Sequence, residues 1–289
     1  MNRDLLPLLI ALAAGCGLTS RWHPQKEAVW LYQLSQPVTA PQPGVEVYVL
    51  DLFEFDTPPE TVALLQRSGA RVVAYFSAGS WEDWRPDAAL YPESVLGAAY
   101  EGWDRERWVD IRALDILAPI LSARLDLAVQ KGFDGVDPDN VDGYLNPTGF
   151  ALAPAHQLQF NRWLAQEAHR RGLAVSLKND PEQAAALEPY FDFAVSESCF
   201  AEGWCDLWQP FTKAGKPVLA IEYTDAFTET EFLQQVCSAV PAGLHAVLHR
   251  RKLEGWGVWC GAGIAVPGVA KDLVSQPNHQ SADDRPLAS

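Results

Sequence analysis

The chain has 289 residues, 48% of them hydrophobic and 20% charged, with 37 acidic against 22 basic side chains and a formal net charge of −15. That balance argues against a nucleic-acid partner, whose phosphates it would repel, and favours a cationic or neutral one. The length suits one α/β barrel of about 250 residues.

Taken in order, residues 5–14 form an apolar run after Arg3, too short to span a bilayer and fit for a signal-peptide core. The run ends at Ala13-Ala14-Gly15-Cys16, which resembles a bacterial lipoprotein cleavage site with Cys16 as the acylated N-terminus; Asp4 and Ala13 depart from that pattern. Residues 1–15 are therefore expected to be a signal peptide and 16–26 a tether. Residues 27–270 form the folded domain, and 271–289 a disordered tail. The expected location is the cell envelope through a lipid on Cys16, or otherwise the exterior, with no other membrane contact. Four cysteines remain in this exported chain, Cys199, Cys205, Cys237 and Cys260, so disulfides are expected. Three pairings are possible. Cys199–Cys205 and Cys237–Cys260 are favoured because both close local loops. No Cys-x-x-Cys or Cys/His spacing supports zinc, and no metal or cofactor is expected.

Apolar strands are read at 30–34, 45–50 and 72–76. Between the last two lies a helix opened by Pro58 and Pro59 and closed by Gly69. The exit at 77–87 is read as a loop of hydroxyls, charges and two tryptophans, Trp81 and Trp84. A helix at 116–131 stops at Gly132, and another at 156–171 stops at Gly172. Further strands are read at 173–177, 191–195, 218–221 and 245–248, with a helix at 229–240. About eight strands alternate with helices, which implies a parallel sheet with right-handed crossovers. Polar residues follow nearly every strand and no glycine-rich phosphate loop appears, so a single closed (β/α)8 barrel is favoured over an open doubly wound sheet.

The most informative stretch is 132–144, GFDGVDPDNVDGY. Phe133 and Val136 lead into Asp134, Asp137, Asp139, Asn140 and Asp142. Crowded carboxylates cost free energy through repulsion and desolvation, so such a strand end needs partners and a purpose. If the strand continues through Pro138, Asp137 and Asp139 share its inner face. Other strand exits add Asp51, Ser77, Ser80, Lys178, Asn179, Glu197, Glu222 and Tyr223, with Tyr32 and Tyr75 on the strands themselves. Glycoside hydrolysis needs two carboxyl groups flanking the bond, one acid and one nucleophile or base. Lys178 and the Arg85/Arg112 region are expected to keep some carboxylates ionised. His156, His169, His245 and His249 lack ligand-like spacing and receive no role.

Over nearly all of 30–260 the chain resembles the endo-α-1,4-polygalactosaminidases, glycoside hydrolase family 114. The matching motifs are 75–87 (YFSAGSWEDWRPD), 106–112 (ERWVDIR), 132–144, 176–180 (SLKND) and Lys216-Pro217-Val218 with Glu222-Tyr223. The resemblance implies a TIM-type barrel and cleavage of α-linked, partly deacetylated galactosamine polymer, a cationic substrate; a monomer is expected. It places the catalytic acids at the ends of the fourth and sixth barrel strands, on one of Asp137 and Asp139 and on Glu197. Asp139 is favoured as nucleophile, because the family tolerates either acid at the first position. Tyr32, Asp51, Tyr75, Ser77, Ser80, Trp81, Trp84, Asn140, Asp142, Lys178, Asn179, Glu222 and Tyr223 are expected around the substrate. One departure is Ser196-Glu197-Ser198-Cys199, where the family has Asn-Glu-Gln-Cys. The rival reading is a non-catalytic carbohydrate-binding lipoprotein, which would lack one acid. A polysaccharide deacetylase would need a His/Asp metal triad.

Overall fold

A computed structural model describes residues 21–53 and 57–261. The expected signal peptide, Cys16 and the tail at 271–289 lie outside the described residues. In chain order the strands are β1 (Trp30–Gln33), β2 (Val47–Asp51), β3 (Arg71–Ser77), β4 (Ser80–Glu82), β5 (Leu96–Tyr100), β6 (Trp103–Val109), β7 (Gly135–Asp139), β8 (Ala174–Lys178), β9 (Phe193–Glu197), β10 (Val218–Tyr223), β11 (Leu244–His249) and β12 (Gly257–Trp259). Nine of them form one sheet in the order β1-β2-β3-β7-β8-β9-β10-β11-β12. All pairs in it are parallel except β11 with β12. β12 fills the seam, and the Trp259 indole donates to the Trp30 carbonyl at 2.6 Å. The sheet is therefore a nearly closed eight-stranded parallel barrel with one antiparallel strand at the join, as the alternating sequence pattern predicts.

The helices α1 (Pro59–Arg67), α2 (Leu114–Lys131) and α3 (Pro154–Arg170) cover the outside. In α2, Leu117, Ile120, Leu121, Leu125 and Ala128 recur at helical spacing and are buried, which fixes the face turned to the sheet. Gly132 ends it at φ 86°, a left-handed cap that a side chain would disfavour. The helix expected at 229–240 is shorter: a turn at Glu229–Glu231 runs into a π-helical turn, Phe232–Val236. The exit read as a loop at 77–87 contains β4, which pairs with β6 in a separate three-stranded antiparallel sheet, order β4-β6-β5. Its partner lies far along the chain, as in Glu82 against Glu106, so no local pattern announces it.

Alternate residues face alternate sides. Inward on the barrel floor are Trp30, Val47, Val73, Ala174, Phe193 and Leu219. Trp22 closes this floor, its ring 6.2 Å from Trp30 and 6.3 Å from Phe193, while Arg21 donates to Asp192. Residues 21–26, expected within the tether, thus pack on the barrel. Going up, the inward positions turn polar and supply the site. Both expected disulfides, Cys199–Cys205 and Cys237–Cys260, are present. No helix among the described residues is long and apolar enough to cross a membrane.

Candidate active site

β7, β8 and β9 each end on a charged residue and then leave the strand at once through a left-handed residue. Asp139 is followed by Asn140 at φ 59°, Lys178 by Asn179 at φ 48°, and Glu197 by Ser198 at φ 62°. Asparagine tolerates this conformation because its short amide hydrogen-bonds locally; serine does so less readily. Each charged side chain is therefore held by the last residue of a strand and stands at the rim. β7 runs through Pro138, in register with β3 as Tyr75↔Asp137 and Ser77↔Asp139, so Asp137 and Asp139 both project inward.

The three carboxylates converge on Lys178. Its ammonium lies 3.3 Å from Glu197 Oε2, 3.7 Å from Asp139 Oδ1 and 3.8 Å from Asp137 Oδ2, with the side chain only 3% exposed. The Tyr32 and Tyr75 rings each stand 5.5 Å from it. Burial alone would lower the lysine pKa, but the three carboxylates outweigh it and hold the group above its ordinary range.

Asp137 is fully buried and accepts hydrogen bonds from the Tyr32 hydroxyl at 2.5 Å and from Ser176. Asp139 and Glu197 keep 16% and 25% of their side chains exposed. Asp139 accepts from the Tyr75 hydroxyl at 2.8 Å and from the Asn140 backbone N–H at 2.9 Å. Glu197 accepts from the Asn179 amide at 2.9 Å and from the Tyr223 hydroxyl, and Asn179 in turn accepts the Glu197 N–H at 2.8 Å. Sharing one ammonium, the contacting oxygens of Asp139 and Glu197 lie at most about 7 Å apart. Burial holds Asp139 above the ordinary carboxylate range despite Lys178, with the Glu197 and Asp137 charges adding to it. Burial pushes Glu197 the same way, but Lys178, Tyr223 and Asn179 outweigh it and leave that group low.

The remaining candidates divide. Tyr75, Asn179 and Tyr223 surround the pair as described, and Asp142 is half-buried beside it, its carboxyl raised to about 7 by burial and the Asp139 charge. Ser77, Ser80 and Asn140 are buried and bond to one another, and Tyr32 is buried against Asp137. Asp51 is buried in a bidentate pair with Arg85, both contacts 2.8 Å, and Arg85 also grips Glu82. Arg112 pairs with Asp110. Of the cations expected to keep carboxylates ionised, Lys178 is the one that reaches Asp137, Asp139 and Glu197. Glu222 is fully buried on the outer face of β10 and accepts the N–H groups of Phe200 and Ala201, at the start of a short helix. Ser196 is buried on the outer face of β9, away from the cleft. Trp81 donates to the Ala88 carbonyl at 3.0 Å, and Trp84 lies under Arg85 and Arg105.

A retaining or inverting glycosidase needs two carboxyl groups facing one cleft, and this barrel presents them at the C-terminal ends of its fourth and sixth strands. The model of glycoside-hydrolase family GH114 matches residues 13–265. The chain belongs to that family. Among solved structures, Ega3 of Aspergillus fumigatus, crystallised with galactosamine, is 34% identical with a TM-score of 0.78, over 84% of this chain and 98% of that one. The glycoside hydrolase domain of PelA from Pseudomonas aeruginosa shares the fold at 18% identity, with a TM-score of 0.59 over 80% and 97% of the two chains. A search of the curated proteins gives no match. Within this GH114 barrel, residue-by-residue reading missed Ser176, Glu82, Glu106 and Tyr100. Glu106 lies in the 106–112 motif, which was the available signal. The Tyr100 ring lies tilted against Trp108, centroids 4.8 Å apart, and burial with the charges of Asp139 and Asp142 raises its hydroxyl pKa.

Proposed function

We propose that the protein is an exported endo-glycosidase that cuts α-1,4-linked, galactosamine-containing polysaccharide, acting as a monomer tethered through a lipid on Cys16. The observation that carries the reading is the pair Asp139 and Glu197, open to one cleft and sharing Lys178. The likeness to a galactosamine-bound relative at 34% identity supports the substrate class.

Asp139 is the proposed nucleophile. Its two oxygens are each held by one donor, Oδ2 by the Tyr75 hydroxyl and Oδ1 by the Asn140 N–H. Glu197, longer and more exposed, reaches outward as the acid that protonates the leaving oxygen. The pKa directions of the protein alone run the other way, Asp139 up and Glu197 down. Three acids around one lysine share protons as a unit. The ammonium of an aminosugar bound next to Asp139 is the charge that would ionise it and leave the shared proton to Glu197. Asp142, half-buried next to Asp139, supplies a further carboxyl for a substrate amine.

The test is incubation with deacetylated α-1,4-galactosamine oligomers and mass spectrometry of the products. Internal cleavage is expected, and Asp139→Asn and Glu197→Gln should each remove at least about 10³-fold of kcat while the circular dichroism stays unchanged, as for essential catalytic groups. Full activity in either variant refutes the assignment. Azide rescue of the corresponding glycine variants separates the roles: an azide product of inverted anomeric configuration marks the nucleophile.

A further inference from the structure

Behind Asp139 lies a buried polar cluster that the reaction above leaves unused. Asn140 is 8% exposed, Glu106 7%, Ser77 1% and Ser80 0%. The Asn140 side-chain amide donates toward Ser77 Oγ at 2.8 Å, Ser80 Oγ at 3.0 Å and Glu106 Oε1 at 3.0 Å. The Ser80 hydroxyl donates to the same Glu106 oxygen, and the two serine oxygens are 2.5 Å apart. Turning the amide outward would leave a buried carboxylate oxygen short of a donor, the expensive way to break a hydrogen bond. The other side of Asn140 is closed by Gly79, where an added Cβ would sit 1.7 Å from the Asn140 carbonyl oxygen. Asn140 is thus clamped at φ 59°, and that conformation aims its backbone N–H at Asp139 Oδ1, 2.9 Å away.

We propose that Glu106 is a positioning residue: through Ser80 and the Asn140 amide it fixes the left-handed turn that presents a backbone N–H to Asp139. A left-handed non-glycine residue is strained and persists only where surrounding bonds over-determine it. The Ser80 hydroxyl and the Asn140 amide converge on one buried Glu106 oxygen, and leaving that oxygen unpaired is the cost that provides the restraint. β6 carries Glu106 from the three-stranded insertion, so the insertion, which contributes none of the three carboxylates, governs the geometry of one of them. Nearby charges are Glu82 across the β4–β6 pair, Arg85, and Asp139 itself; with burial as the largest cause they set the Glu106 carboxyl at about 7.

The inference rests on the catalytic role proposed for Asp139, and its test separates the two. Kinetics on galactosamine oligomers are measured for Glu106→Ala, Glu106→Gln, Asn140→Gly and the double variant Glu106→Ala/Asn140→Gly. Glu106→Ala should lower kcat about 10–100-fold with KM within about twofold, the loss a misplacement near 1 Å produces. Glu106→Gln keeps an accepting oxygen and should recover to within a few-fold of the wild type. Asn140→Gly, which tolerates the same φ, should lose as much as Glu106→Ala, and the double variant no more than the worse single one. Wild-type kcat in Glu106→Ala, a glutamine variant as poor as alanine, or additive losses overturn the proposal. If Glu106→Ala does not fold, Asn140→Gly against Glu106→Gln decides it, because equal kcat in those two overturns the proposal. Hydrogen exchange of the Asn140 amide needs no substrate. Faster exchange in Glu106→Ala supports the positioning role even where wild-type hydrolysis is absent, and unchanged exchange overturns it even where hydrolysis is robust.

Discussion

Replacing Lys178 by methionine keeps the side-chain volume close and removes the single ammonium shared by three carboxylates. At an effective dielectric near 20, each contact of 3.3–3.8 Å is worth about 4–5 kcal/mol of Coulomb attraction. Desolvation of the lysine and mutual repulsion of the acids cancel most of that total. The net loss on breaking a buried ionic cluster is about 3–5 kcal/mol, a melting temperature lower by about 6–20 °C for a domain of this size. The folded pKa of Lys178 lies above its unfolded value, so its contribution is complete at any pH below the unfolded value and flat across pH 4–8. In the methionine variant the buried acids face one another without a counter-charge, and their folded pKa values rise above the unfolded ones. Such groups favour the fold at low pH and oppose it as pH climbs. The deficit measured by urea unfolding should therefore be larger at pH 7.5 than at pH 5. A deficit under about 1 kcal/mol, or one that grows toward acid, refutes the account of the lysine as the electrostatic centre of the site.

Two other outcomes are expected. His249 is fully buried, and its Nδ1 lies 2.7 Å from the Trp256 carbonyl, so that nitrogen carries the proton of a neutral ring; burial lowers its pKa to about 4. A depressed histidine stabilises the fold fully above its unfolded value near 6.5 and loses that stability as pH falls toward 4, about 3 kcal/mol in all. His249→Gln should flatten this part of the stability–pH curve relative to the wild type in chemical denaturation, and parallel curves would discard the assignment. The charge of −15 and the crowded carboxylates should speed encounter with a cationic polymer. Turnover is expected to be faster on partly deacetylated than on fully acetylated polymer, with the advantage shrinking as salt rises through 0.1–0.5 M; an advantage indifferent to salt would show that the field plays no part.

The barrel was legible because apolar strands alternate with capped helices and each strand delivers polar residues at its end. The inward projection of both Asp137 and Asp139 followed from a two-residue period through Pro138, and β7 is indeed continuous there. What the sequence could not show is which of those polar ends face the cleft. Strands buried on both faces show no polar-apolar alternation, so Glu222 and Tyr223 looked equivalent although one caps a helix outside and the other bonds to Glu197. Ser77, Ser80 and Asn140 looked like sugar ligands because their partner Glu106 arrives on β6 through a pairing that no local pattern encodes. Arg85 looked free to serve the catalytic acids, whereas a non-local contact commits it to Asp51.

The left-handed residues behind Asp139, Lys178 and Glu197 explain how one rim can be rigid and open at once. A strand continuing upward would bury its last inward side chain under the next one. A chain turning away gradually would leave that side chain on a mobile loop. An immediate left-handed break avoids both, since the charged residue keeps its place in the ladder while the next residue swings the backbone aside. The amide side chains then become available at the same level, and two of the three breaks use them. Asn179 grips Glu197 from both its amide and its carbonyl, and Asn140 reaches back to Glu106 while its N–H holds Asp139. Ser198 has no such amide, and its break is held by its own N–H to the Ile221 carbonyl at 2.8 Å and by the adjacent Cys199–Cys205 disulfide. The departure from the family pattern at Ser196 and Ser198 therefore bears on how the Glu197 loop is braced. The cleft contacts of Glu197 are made by Asn179, Lys178 and Tyr223, none of which that departure alters.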